Sequence, residues 1–405
     1  MRSTTGGRAM TFYPRARPRH ATANDGAIEA AAIAAIAETG WDAANVVGVS
    51  ERAGLTSGAF YTRFPALTDL ALSLWEAKLG DGFAEAVTDV AGSVSSREDL
   101  AAALERWAQP DDALLRAALE LIQAAQFEPG LAPIREAAQT LVDGALVGGG
   151  VPAAQVATAL SLAMGLSLTS TRSRVAALDL GLTLPDWAAA VTSPTAGRDL
   201  PEESADHLRQ VFVDTGDARH DQMLAAALEV IGERGYRNAS ISRICRSSGA
   251  TTGYLYDRYP GKLELFLAAS KLTLDGSYER TFAFGSRLTE IYDPVIAEAV
   301  VWREVQMPDL VSRRRVLMEQ GRMAQFDQRM SQIQEEQEET FLSAMCGGRT
   351  GTELAAARAR WHVEIGLGLG LNLLSLIATE SWSLPYDAVI EPLLARGLLQ
   401  QEPST

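Results

Sequence analysis

Cysteine is nearly absent: the 405-residue chain has two, Cys245 and Cys346. Two isolated thiols exclude a disulfide framework or a thiolate metal site and suit a reducing cytoplasm, where the protein is expected. Histidine is scarce too, and His20, His207, His220 and His362 show no ligand spacing. Basic residues are outnumbered, 36 against 51 acidic ones, and the net charge of −15 argues against indiscriminate nucleic-acid binding. Long apolar runs are missing too. The longest uncharged stretch, 144–171, is broken by Gly148-Gly149-Gly150-Val151-Pro152 and carries Gln, Ser and Thr, so it reads as a buried or interface helix and not a bilayer span. The basic start, 1–20, holds Arg2, Arg8, Arg15, Arg17 and Arg19 without an acid, but no apolar segment of a secretory leader follows. No catalytic triad, zinc motif or phosphate loop is present, so neither an enzyme nor a cofactor or metal is expected. The glycines at 366, 368 and 370 lack the strand–turn–helix setting of a phosphate loop and suit close helix packing instead.

What is present is a repeat. Residues 28–70 and 223–265 align without a gap at a shift of 195. Gly40, Trp41, Gly54, Gly58, Tyr61, Arg63, Phe64, Pro65 and Leu70 answer Gly235, Tyr236, Gly249, Gly253, Tyr256, Arg258, Tyr259, Pro260 and Leu265. Leu184-Pro185 returns as Leu384-Pro385. The length is therefore one unit of about 195 residues written twice.

Each copy opens with three short helical segments. Leu224, Ala227, Leu228 and Ile231 follow the spacing of an amphipathic helix, as do Ile28, Ala32, Ile33 and Ile36. Gly40 and Gly235 are stop signals, and Asn45 and Ser240 stand where N-caps belong. The second segments, 46–53 and 241–248, end at Gly54 and Gly249, and Thr56 and Thr251 cap third helices expected to reach Phe64 and Tyr259. Two short helices joined by a tight glycine turn make a helix-turn-helix. The small Thr56, Ser57 and Gly58, followed by Tyr61, Thr62 and Arg63, suit close approach to a DNA groove. Thr251, Thr252, Gly253, Tyr256 and Arg258 repeat that pattern, and Ser242 and Arg243 add polar contacts.

The pattern Gly-x-x-Tyr-x-x-Phe/Tyr after a helix-turn-helix resembles the DNA-binding domain of the tetracycline-repressor (TetR) family of transcriptional regulators. The resemblance covers about 45 residues in each copy. It implies a three-helix DNA-binding domain on a larger helical domain that dimerises and often binds a small ligand. It also implies a phosphate-holding lysine just after the third helix; Lys262 fits, whereas the first copy has Leu67. Over 234–262 the net charge is +5, and over 39–67 it is zero, so the second copy is expected to grip the phosphate backbone harder.

No stretch alternates like a strand, and the expected fold class is all-α: two tandem TetR-like units arranged as a pseudo-dimer. The expected parts are a basic arm (1–20), a first DNA-binding domain (21–70), a first helical domain (71–191) and a linker (192–217) with a short helix at 202–213. A second DNA-binding domain (218–265) and a second helical domain (266–400) follow, the latter with helices beginning at Pro294. The uncharged segments 153–171 and 365–379, rich in small residues, are expected to form the seam. Trp302, Met307, Met318, Phe326 and Trp361 are the candidate lining of an apolar ligand pocket, a pattern that an ordinary helical core also produces.

The expected function is sequence-specific binding of double-stranded DNA, as a repressor released by a small apolar effector. Because the two third helices differ, the operator is expected to be asymmetric or imperfectly palindromic. The alternative is a ligand- or protein-binding module in which one or both helix-turn-helix units are vestigial. Self-association of the chain is compatible with either reading but required by neither.

Overall fold

The computed structural model describes residues 19–109, 111–170, 178–204, 208, 213–345 and 348–399, and every regular element in them is helical. The basic arm up to residue 18, most of the expected helix at 202–213 and Cys346 lie outside the described residues.

The chain opens with α1 (Arg19–Ala43), α2 (Val46–Arg52) and α3 (Ser57–Tyr61). Next, α4 (Leu67–Leu74) leads through a wider turn at Trp75–Leu79 into α5 (Gly80–Ser93). The helices α6 (Arg97–Trp107), α7 (Ala113–Ala124), α8 (Ala132–Gly148), α9 (Ala153–Thr169) and α10 (Leu184–Val191) complete the first half. The second half begins with α11 (Ala218–Asn238), α12 (Ile241–Ser248) and α13 (Thr252–Tyr256). It continues with α14 (Lys262–Thr289), α15 (Pro294–Gln306), α16 (Val311–Ala324), α17 (Gln328–Met345), α18 (Gly351–Ile377) and α19 (Asp387–Ala395). The 28-residue α14 is not among the helices expected from sequence, which within the second helical domain begin at Pro294. Its Asp275-Gly276-Ser277 stretch mimics a turn, and low intrinsic propensity there is overridden within a long helix.

The first three-helix unit shares one continuous core with the helical body, whereas the second has a separate core completed by Val316, Ala324 and Met330. Ile28, Ile36, Val49 and Phe60 belong to the first core; Leu224, Ile231, Ile244 and Leu255 belong to the second. Helix α7 packs along α1 and α16 packs along α11, so each three-helix unit rests on one helix of the body behind it. Gly40 and Gly235 kink α1 and α11 at φ 78° and 74°, a backbone that only glycine adopts without strain.

The centre of the molecule is the crossing of α9 and α18. Every residue of α9 from Ala154 to Thr169 is buried, which marks a helix wrapped on all sides by protein. Thr158 Oγ1 donates to Ala154 O at 2.8 Å, and Thr169 Oγ1 meets His362 Nε2 at 3.1 Å, so much of its polarity is satisfied internally. No helix among the described residues is long and apolar enough to cross a membrane. The crossing is backbone to backbone: a Cβ on Gly165 would stand 1.7 Å from Gly366 O, and one on Gly370 would stand 1.7 Å from Ser161 O. Gly368, between them in sequence, faces open space. Gly165→Ala is expected to push the helices apart and lower unfolding free energy by about 2–3 kcal/mol. Gly368→Ala, in the same interface helix, should be neutral or stabilising by up to about 1 kcal/mol, with urea denaturation as the measure.

Candidate nucleic-acid interface

Capping side chains define the two helix-turn-helix units. Asn45 Oδ1 accepts from Gly48 N at 2.9 Å and Thr56 Oγ1 from Ala59 N at 3.3 Å. Ser240 Oγ accepts from Arg243 N at 3.4 Å and Thr251 Oγ1 from Tyr254 N at 3.2 Å. Gly54 and Gly249 make the intervening turns at φ 68° and 65°, in the left-handed region that favours glycine. The third helices end at Tyr61 and Tyr256, short of the expected Phe64 and Tyr259, because each chain turns there to enter the next helix.

The outward faces carry the residue types expected from sequence. Thr56, Gly58, Tyr61 and Thr62 are exposed and Ser57 is half-buried; Thr251, Thr252, Gly253, Tyr256 and Arg258 are exposed. Tyr61 and Tyr256 are 58% and 55% exposed, unusual for large aromatic side chains. A Cβ on Gly58 or Gly253 would meet nothing nearer than the capping hydroxyl, at 3.7 and 3.9 Å. Glycine inside a helix costs about 1 kcal/mol against alanine, and internal packing gives no reason for it here. An approaching backbone or phosphate would.

Two expected contacts are redirected inward. Lys262, read as a phosphate ligand, donates through Nζ to Tyr236 O at 2.6 Å, Ala239 O at 2.9 Å and Arg237 O at 3.4 Å. All three ammonium hydrogens have acceptors, and the charge lies 4.2 Å from the Tyr236 ring. Burial lowers its pKa, opposed by Asp42 and Glu319. Lys262 is therefore a cap on the end of α11. Arg63, expected at a phosphate or base, pairs with Asp25 and donates to Ala59 O at 2.8 Å. Its counterpart Arg258 is less confined: its guanidinium stacks 3.8 Å from the Tyr254 ring, with Asp217 Oδ2 at 3.8 Å. Arg243 and Arg246 are exposed on α12 beside Ser242, whose Oγ lies 3.1 Å from Ser240 Oγ. Arg246 is an addition to the residues singled out from sequence.

The pocket expected from sequence is partly assembled. A cavity of about 240 Å³ in the second helical domain is lined by Trp302, Trp361, Phe282, Val301, Ile365 and Leu371 among others. Met318 packs in the core, Met307 ends α15 and holds Arg314 through its carbonyl at 2.6 Å, and Phe326 lies against Gly40; none of the three lines the cavity. Met307 and Phe326 lie past the ends of α15 and α16, and Met318 faces the core from α16. Glu298 enters the cavity wall, accepting from Trp302 Nε1 at 2.7 Å, and burial raises its pKa.

Between the two units lies a junction that the sequence reading missed. Arg322 of α16 is 6% exposed and donates to Glu319 at 3.0 Å, Glu120 at 2.8 Å and Asp42 at 2.6 Å. Glu120 also accepts from Trp41 N at 2.7 Å, and Glu319 from Tyr236 N at 3.0 Å. Arg237 donates to Trp41 O at 3.2 Å. Phe127 abuts Gly235 while Phe326 abuts Gly40, each ring 2.8 Å from where a Cβ would sit. A signal existed: Ala125-Gln126-Phe127 returns as Ala324-Gln325-Phe326 and Glu120 as Glu319, at a shift of 199 and not 195. The change of register hid it. Burial pushes the Glu120 carboxyl up to about 7 against the attraction of Arg322. Burial also opposes the charge on Arg322, but Glu319, Glu120 and Asp42 outweigh it and hold the guanidinium charged. The two directions agree, since one cation draws on three acids whereas each acid has a share of one cation.

The second unit is thus a capped helix-turn-helix domain with a solvent-facing third helix, attached to a helical body. Comparison with known proteins assigns it further. Residues 223–269 match the model of bacterial regulatory proteins of the tetR family, so the chain carries a TetR-family helix-turn-helix domain there. A 59-residue segment is 39% identical to the HTH-type transcriptional activator FasR of Mycolicibacterium smegmatis, over 15% of this chain and 27% of that protein. The match spans about a quarter of that relative's length.

Lys262→Met, which keeps the stem but removes the charge, should cost about 1–3 kcal/mol of stability in urea denaturation, because three carbonyls lose their donor. A carboxyl raised in the folded chain adds stability that is full below its unfolded pKa and is lost as pH rises through the folded value. Glu120 should therefore weaken the fold progressively from about pH 4.5 to about 7. Glu120→Gln, compared with wild type by urea midpoints across that range, should flatten this component.

Proposed function

We propose that the chain is a sequence-specific DNA-binding transcriptional regulator that presents two recognition helices, α3 and α13, from one polypeptide. The observation that carries this reading is the pair of exposed tyrosines, Tyr61 and Tyr256, each beside a glycine whose outer side is open. The N-terminal residues of such helices reach base edges in the major groove, and their backbone N–H groups suit phosphate oxygens. The TetR-family match at 223–269 supports the same assignment for the second unit. The pseudo-dimeric arrangement of two tandem units rests on the repeated order of elements, the α9–α18 crossing and the reciprocal phenylalanine contacts.

The two surfaces are unequal. In the second unit Arg243, Arg246 and Arg258 are exposed around α12 and α13, with Thr251, Thr252, Gly253 and Tyr256 between them. In the first, Arg63 is committed to Asp25, which leaves Asn45, Thr56, Ser57, Gly58, Tyr61 and Thr62 as a weakly charged contact surface. This favours an operator whose half-sites differ, with the second unit as the electrostatic anchor. We assign the direction as repression, relieved when a small apolar effector fills the cavity beside Trp302 and Trp361. The similar protein is named an activator, and a reporter fused to the selected operator distinguishes the two signs.

DNA selected from a random pool and measured by fluorescence anisotropy tests the reading directly. Tyr256→Ala should weaken binding by about 1–3 kcal/mol and relax sequence preference, whereas Tyr61→Ala should cost less. Arg243→Ala and Arg246→Ala should each reduce the salt dependence of log K by about one ion. Unchanged affinity in all four variants would mark the helix-turn-helix units as vestigial.

A further inference from the structure

We infer that Arg322 is a positioning residue that sets the separation of the two recognition helices, and hence the half-site spacing that one chain accepts. This rests on the DNA-binding reading above. The recognition helices α3 and α13 pack on α2 and α12, which pack on α1 and α11, so their placement follows the ends of those two long helices. Both ends converge on one guanidinium. Arg322 Nε and Nη2 bind the two oxygens of Glu319, whose carboxylate also accepts Tyr236 N–H just after the Gly235 kink. Nη1 binds Glu120 Oε1, which accepts Trp41 N–H just after the Gly40 kink, and Nη2 also binds Asp42 Oδ2.

The chemistry of the junction suits positioning better than stability. A buried ion pair repays little of its desolvation, but it permits very few arrangements, because each displaced carboxylate is left buried and uncompensated. Arginine's planar fork serves three acids at fixed angles, which a lysine point charge cannot do. The residue is also unpaired by the repeat: at the shift of 199 its counterpart is Gln123, which donates to Leu119 O at 3.2 Å within its own helix. In a symmetric dimer of identical chains the same residue would appear twice across the axis, bringing two guanidinium groups to one site. Fusion of the two units removes that repetition, so a single cation can bridge them.

DNA supplies the ruler. Half-sites one turn apart lie about 34–36 Å centre to centre, and each inserted base pair rotates the second site by about 34°. The mildest probe is Asp42→Asn, because Asp42 is the least buried of the three acids and Glu120 and Glu319 still hold Arg322. Arg322→Gln is the severe form, and Asp42→Glu, which keeps a carboxylate, is the rescue. Affinity is measured against a series of selected operators with the half-sites moved by one to four base pairs. Wild type should lose affinity by about 30-fold or more at two base pairs from the optimum, while Asp42→Asn should lose less than about 5-fold and Asp42→Glu should restore the wild-type profile. A second measurement needs no DNA: nitroxide labels at Glu51→Cys and Ser247→Cys, in a chain with Cys245→Ala and Cys346→Ser, report the distance between the units. Its distribution should broaden in Asp42→Asn. An unaltered spacing profile or an unaltered distance distribution in Asp42→Asn overturns the inference. A wild type that binds no DNA would sink the functional reading instead, and the label distances would still decide whether Arg322 positions the units.

Discussion

One buried cation shared by three carboxylates organises this molecule. Arg322 draws Asp42, Glu120 and Glu319 to a single point, and two of those acids hold the backbone N–H groups that follow the glycine kinks of α1 and α11. The arginine without those acids would be one unpaired buried charge, and the acids without the arginine would be several acids crowded together with no cation. The surrounding contacts depend on the same geometry: Phe127 can lie on Gly235, and Phe326 on Gly40, because neither glycine carries a Cβ. A distant seam, the α9–α18 crossing, obeys a similar rule, with backbones meeting where side chains are absent.

This organisation explains why net charge is a poor guide to the surface offered to a partner. Of the basic residues clustered in the second unit, Lys262 caps carbonyl groups and Arg237 reaches across to Trp41. Arg243 and Arg246 remain exposed on α12, a smaller and more directed positive face than the local excess suggested. In the first unit the same economy goes further, since Arg63 is drawn in by Asp25. Two helix-turn-helix units built from one pattern thus carry different electrostatics, and the difference arises from who pairs with whom.

Much of the fold could be read from residues in order. The caps Asn45, Thr56, Ser240 and Thr251, and the turns at Gly54 and Gly249, are local effects: a side-chain oxygen meets an N–H three residues on, or glycine accepts a positive φ. Helix α14 was harder, because its central Asp-Gly-Ser stretch carries a turn signal although the helix runs through it. The cavity of the second helical domain was partly legible. Trp302 and Trp361 line it, but helical spacing cannot say which neighbour a side chain faces, and Met318 and Phe326 face elsewhere.

The sequence by itself determined the helical class and the helix-turn-helix domain at 223–269, because these depend on spacing within about fifty residues. Tertiary structure alone decided which charged groups stay outside. Asp42, Glu120, Glu319 and Arg322 come from segments up to 280 residues apart, and a change of register between the repeats conceals their correspondence. Nothing local distinguishes a lysine that will cap α11 from one that will meet a phosphate. That choice is made by burial and by the acceptors that folding brings within reach.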